Sequence, residues 1–289
     1  MLSEDDFFKK VIHEMTLKNV DWYQSDRAPI AEITLGGLII LVFTKTIQIN
    51  TIRLRDRYFH VNSLATLANL SSCFKQLTPF VCQKLIGLLE TMTKRHAKLI
   101  LSKNDDDLDL EELQDGNDDL HSDITALEEG IRTLLEIINA CLCRNLRNNP
   151  NLIYTVLYKR ELFEHYHQHP MFQDLVWNIY AVINHFTARV EAIISANSGN
   201  GSPTFGGGNA ASANAIANNA SVSDILEAIK KTAIEWPTDR LKKFPDLRFK
   251  YIEDDNTVDF FVPYIWRLIY ESAGIYFDPV AIQLFKATD

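Results

Sequence analysis

Several groups of side chains in this 289-residue chain have the types and spacing that chemistry uses. His165, His167 and His169 alternate beside Glu164. On a helix His165 and His169 share a face, as two imidazoles approaching one metal ion would. Pro170 follows directly and disfavours helix in the residue before it, and no HExxH pattern is present. The spacing therefore predicts exposed turn histidines rather than ligands. Cys141 and Cys143 lie two apart on a predicted helix and point to different faces. With Cys73 and Cys82 they form no Cys-x-x-Cys pair, so the expectation is four reduced, partly buried thiols and no metal site. The run GNGSPTFGGGN (199–209) has the glycines of a phosphate-binding loop, but it lacks the lysine and hydroxyl of a P-loop and no strand precedes it. Its composition reads as a linker. Carboxylates are paired repeatedly over 105–119, on a stretch that reads as a mobile loop, where general acid–base chemistry finds no fixed geometry. No GxSxG, Ser-His-Asp spacing, dinucleotide fingerprint or kinase signature occurs. The residues nominate no catalytic, cofactor-binding or metal-ligating group.

Basic residues offer a different chemistry. Arg53, Arg55 and Arg57 alternate with Leu54 and Asp56, a spacing that a phosphate or lipid headgroup could use but that reads first as a solvated turn paired to nearby acids. Arg240, Lys242, Lys243, Arg248 and Lys250 flank Phe244 and Phe249. These seven residues are the candidate contact surface, for an acidic partner, a headgroup or the body of this same chain. The net charge is −9, and Lys103–Asp123 alone holds ten acidic residues against one lysine. The remainder is electrically balanced, so the electrostatic footprint of a nucleic-acid binder is missing.

The elements that must position these groups are helical. Apolar residues recur at helical spacing over Phe7–Met15, Val81–Met92, Ile124–Leu142, Phe172–Ile193 and Ile225–Ile229. Expected starts are Ser3, Thr78-Pro79, Ser122, Asn149-Pro150, His169-Pro170, Ser221 and Pro263, with Gly274 as a stop. The apolar run Ile33–Phe43, bracketed by Glu32 and Lys45, falls short of the roughly twenty residues a membrane span needs. It reads as a helix buried all round. VNSLATLANLS (61–71) has the small residues of a closely packed helix in an armadillo or HEAT unit, although no exact period repeats along the chain. Leu247, Phe249 and Tyr251 alternate with basic residues in a strand-like way. The fold class expected is all-α, an irregular α-solenoid. Its parts are helical repeats over 1–101 and 124–196, an acidic flexible loop over 102–123, a disordered Asn/Gly/Ser linker over 197–220, and a helical segment over 221–289 that packs back on the stack.

Three long runs carry a resemblance. They are EITLGGLIILVFTKTIQINTIRLRDRYFHVNSLATLANL (32–70), EIINACLCRNLRNNPNLIYTVLYKRELFEHY (136–166) and DRLKKFPDLRFKYIEDD (239–255). In order and spacing they resemble the dymeclin family, over most of residues 4–286. The resemblance implies a non-enzymatic, cytoplasmic protein peripheral to the Golgi apparatus, acting in Golgi organisation and vesicle trafficking, with protein partners of that machinery and no cofactor. A headgroup-binding module at Golgi membranes is the alternative. Full-length members begin Met-Gly and look N-myristoylated, whereas residue 2 here is Leu. The expectation is a chain matching the family's C-terminal half, with at most peripheral membrane association.

Overall fold

The computed structural model describes residues 2–23, 30–106, 114–167, 169–197, 221–237, 240–251 and 257–274. Helix dominates them. The single departure from an all-α fold among the described residues is a two-stranded antiparallel hairpin, β1 (Thr16–Val20) with β2 (Ile30–Thr34). Thr16 faces Thr34, Leu17 faces Ile33 and Lys18 faces Glu32, three cross-strand matches that each favour pairing. The apolar run expected as one helix from Ile33 therefore splits. Ile33 and Thr34 finish β2, and Thr34 turns the chain into α2 (Leu35–Ile49) by accepting a hydrogen bond from Gly37 N at 3.0 Å.

The first helix, α1 (Asp6–Val11), is capped by Asp5, which accepts from Phe8 N at 2.6 Å, and not by Ser3, which lies in a short 3-10 turn. The end of α1 receives α2 directly: Gly36 N donates to Ile12 O at 2.7 Å, and Leu35 N donates to Met15 O at 2.8 Å. Gly36 is required there, because a Cβ would stand 2.5 Å from the buried His13 ring. After α2 comes one π-turn, Asn50–Leu54, closed by Arg55 in the left-handed region at φ 55°. No residue from Ile33 to Phe43 is exposed. The whole helical stretch Leu35–Leu54 is long and apolar enough to cross a membrane by length and composition, and half of it is buried inside the protein.

Helix α3 (Arg57–Ser71) is capped by Asp56. Proline opens α4 (Pro79–Asp106) and α6 (Pro150–Tyr158) at the expected positions. Between them α5 runs from Gln114 to Asn145, starting eight residues before the expected Ser122. The segment expected as a flexible acidic loop over 102–123 is thus helical at both ends, with 107–113 outside the described residues. A short α7 (Arg160–Glu164) leads to α8 (Gln173–Asn197). The linker expected over 197–220 lies outside the described residues beyond Asn197. Ser221 then opens α9 (Val222–Ile234) with a capping box to Asp224. Helix α10 (Thr257–Ala273), considered by itself, carries Pro263 inside rather than at its start, and Gly274 ends it at φ 63°.

Packing joins α2 to α3 and α4, α3 to α5, α4 to α5 and α6, α5 to α8, α6 to α8 and α9, and α8 to α9. The core between them is aliphatic with four fully buried phenylalanines, Phe74, Phe163, Phe172 and Phe186. Each of these would cost about 3–5 kcal/mol to truncate to alanine.

Candidate functional site

Past the end of α9 the chain loses its helical period. Pro237 and Pro245 cannot donate the amide bonds of a helix, and Lys242 and Lys243 fall among apolar residues without a 3.6-residue stripe. Residues 240–249 form no helix or strand and run as a strap over the helices. Leu241 is buried and Phe244 and Leu247 are half-buried against the core.

Two asparagines hold the strap by its main chain. Asn178 on α8 donates from Nδ2 to Lys242 O at 2.8 Å and accepts from Lys242 N at 2.9 Å. Asn69 on α3 does the same to Phe249, donating to its carbonyl at 2.8 Å and accepting from its N–H at 2.7 Å. A carboxamide offers one donor and one acceptor side by side, as a neighbouring β-strand does, so it can satisfy both polar groups of one extended residue. Both asparagines are buried, Asn178 fully, where an unpaired amide would be costly.

Between them α5 supplies the middle of the surface. Arg144 forms an ion pair with Asp246, and Cys143 Sγ lies 3.9 Å from Lys242 O. Asn139 donates to Leu135 O and Leu175 O, while its buried Oδ1 has no partner among the described residues. Asn139, Leu175, Phe244 and Leu247 line a cleft of about 240 Å³. Asparagines also close the corner nearby. Asn145 donates to Ser72 O at 2.9 Å, Asn149 to Phe74 O at 2.8 Å and Asn151 to Leu77 O at 2.8 Å, tying the α3–α4 connection to α5 and α6.

The seven residues nominated from sequence divide here. Arg240 Nη1 meets His185 Nδ1 at 2.9 Å and its guanidinium lies 5.8 Å from the Trp236 ring. Burial, then Arg240 and Arg189, push the His185 pKa down, so the imidazole accepts as a neutral ring. Lys242 is bound through its main chain while its ammonium lies over Phe244 at 5.5 Å. Phe244 packs inward, and Phe249 is bound through its main chain with its ring 40% exposed. Lys243, Arg248 and Lys250 have exposed side chains. The asparagines that grip the strap were not nominated. Their sequence signal is a polar residue inside an apolar stripe, as in LANLS and VWNIY.

The other candidates resolve into structural roles. His167 packs on Tyr180, and His169 is half-buried, stacked on Phe172 at 4.3 Å and 3.9 Å from Glu128 rather than exposed. Among the described residues no group of three His, Cys, Asp or Glu could hold a metal ion. All four cysteines are free. Burial pushes the Cys82 thiol up to about 12 and Cys141 further still, so neither is a thiolate nucleophile at neutral pH. Arg55 pairs with Asp123 at 3.7 Å, and Arg95 joins the same carboxylate at 3.5 Å, as a turn neutralised by nearby acid would.

Comparison with known proteins fits this arrangement to a family. The family model described as Dymeclin: Dyggve-Melchior-Clausen syndrome protein matches residues 1–268. Dymeclin of Gallus gallus is 42% identical over 99% of this chain and 39% of the relative. Dymeclin of Rattus norvegicus is 43% identical over the same shares, and that of Drosophila melanogaster is 39% identical over 98% of this chain and 38% of the relative. The chain thus spans about two fifths of the length of these curated relatives, in their C-terminal half. No solved structure matches it. The sequence match over nearly the whole chain establishes that this protein belongs to the dymeclin family.

Proposed function

We propose that the chain is a non-enzymatic scaffold acting in Golgi organisation and intracellular vesicle trafficking through protein–protein contacts, in the cytoplasm at the periphery of the Golgi apparatus. Family membership supports the process, and the strap surface supports the mode. The observation that carries the reading is the pair of buried asparagines, on α8 and α3, that bind extended backbone with both amide atoms. A surface that binds main chain serves recognition of protein. We further infer an irregular α-solenoid. The packing partners fall into two rows, α2–α4–α6–α9 and α3–α5–α8, cross-linked at α2–α3, α4–α5, α6–α8 and α8–α9. Stacked helix pairs generate such rows and leave one row as an extended binding face.

The test is expression of the tagged chain in cells, with affinity capture beside liposome flotation. The scaffold reading expects co-localisation with a Golgi marker, capture of a defined set of trafficking proteins and no flotation with protein-free liposomes. Diffuse distribution without specific capture would overturn it. Strong flotation without protein capture would replace it with headgroup binding through the basic residues.

A further inference from the structure

The strap occupies its groove in the way a ligand would. Asn178 and Asn69 bind residues seven apart in the chain, Lys242 and Phe249. Seven extended residues span about 23 Å. The row α8–α5–α3 contains two interhelix gaps, about 16–20 Å at ordinary packing distances. A segment of this length can therefore reach from one edge of the row to the other. At both ends the groove reads backbone, which any extended segment possesses. Selectivity is left to the middle, where Arg144 pairs with Asp246 and where Phe244 and Leu247 pack against the core at the edge of the cleft beside Asn139.

The occupant is shallowly held. Of residues 240–249 only Leu241 is buried, and the cleft beside Phe244 stays open at about 240 Å³. Buried, specific receptors on the helices thus face a shallowly seated segment.

We propose that the α3–α5–α8 groove is a peptide-binding site kept closed by the chain's own strap. Its ligand is an extended protein segment with an aromatic residue, an acid two positions later and an apolar residue directly after, the pattern of Phe244-Pro245-Asp246-Leu247. The proposal deepens the scaffold reading and rests on it only for the ligand being a protein. A partner bearing this pattern displaces residues 240–249 and takes over the amide pairs of Asn178 and Asn69.

The probe is a fluorescent peptide of residues 239–251, titrated by anisotropy against the full chain. The native chain should bind it weakly because its groove is filled. A Phe244→Ala/Asp246→Ala chain, with its own strap loosened, should bind at least tenfold more tightly. Adding Asn69→Ala and Asn178→Ala should reverse that gain, and a peptide carrying Asp246→Lys should lose at least tenfold in affinity. A loosened chain that melts as a folded protein yet binds no more tightly than the native one would overturn the proposal. So would binding indifferent to the asparagines or to the acid. Should the loosened chain fail to fold, hydrogen exchange on the native chain decides. The Lys242 and Phe249 amides should exchange at least a hundredfold faster than that of Leu135 in α5. Equal rates would mean that the strap leaves only on global unfolding, and would overturn the proposal. A chain that binds the peptide but never reaches the Golgi would defeat the cellular role and leave the groove standing.

Discussion

The body of the molecule and its strap are held by opposite means. Helices α4, α5 and α8 interlock through aliphatic and aromatic side chains that are fully excluded from water, such as Leu85, Leu135 and Phe186. The strap over 240–249 is held near both ends by main-chain atoms, gripped by side chains that belong to the helices. The body's stability is therefore written in which side chains it has. The strap's ends depend on two asparagines elsewhere, and its own side chains contribute at Leu241, Phe244, Asp246 and Leu247. That difference makes the body unique and the strap replaceable.

The comparison breaks most visibly in the core. Leu135→Ala removes a fully buried side chain from the middle of α5 and should destabilise the chain by about 2–5 kcal/mol in urea or thermal unfolding. A loss under 1 kcal/mol would mean that the body is far looser than its burial implies.

Acid should act on the body next. His13 is buried with both ring nitrogens unpartnered, and burial first, then Lys75, lowers its pKa from 6.5 to about 4. Above pH 6.5 the ring is neutral in folded and unfolded chains, so it adds no pH dependence. Below 6.5 the unfolded chain takes up a proton that the folded chain refuses, and stability falls until the folded pKa is passed. The loss attributable to His13 across pH 6.5 to 4 is on the order of 3 kcal/mol. Unfolding free energies measured through this window should fall, and His13→Gln should remove that part of the slope. A native chain as stable at pH 4.5 as at pH 7 would contradict the assignment.

Two substitutions at the strap sharpen the contrast. Asn178→Ala strips Lys242 of both main-chain partners and should cost about 1–3 kcal/mol. Lys242→Glu with Lys243→Glu reverses two charges on exposed side chains, takes the ammonium off Phe244 and should change stability by no more than about 1 kcal/mol. The reversed order, lysines costly and asparagine neutral, would show that the strap is held by its charges.

The sequence displayed the body well and the strap poorly, for physical reasons. Apolar stripes over Val81–Met92 and Ile124–Leu142 mark the buried faces of α4 and α5, because burial and helical period leave the same trace. Pro79, Pro150 and Ser221 open helices where their chemistry predicts. The hairpin escaped because β2 runs into α2 at Thr34 without a polar break, so Ile33 merged with the helix behind it. The long reach of α5 escaped because acidic residues at a helix start look the same in sequence as a solvated loop. Arg240, Lys242 and Phe244 drew notice through charge and aromaticity, whereas the groups that hold their segment are carboxamides on α3 and α8, more than sixty residues away. A contact made between an amide side chain and a main chain leaves no pattern in the segment being held.

The central claim is that helix-borne carboxamides hold the strap by its backbone, and residue-resolved hydrogen exchange tests it most directly. Replacing Asn178 by Ala should speed exchange of the Lys242 amide at least tenfold, and Asn69→Ala should do the same to Phe249. Amides inside α4 and α5 should keep their rates in both variants. Unchanged protection at Lys242 and Phe249 would contradict the account, because it would mean that these amides never depended on the asparagines.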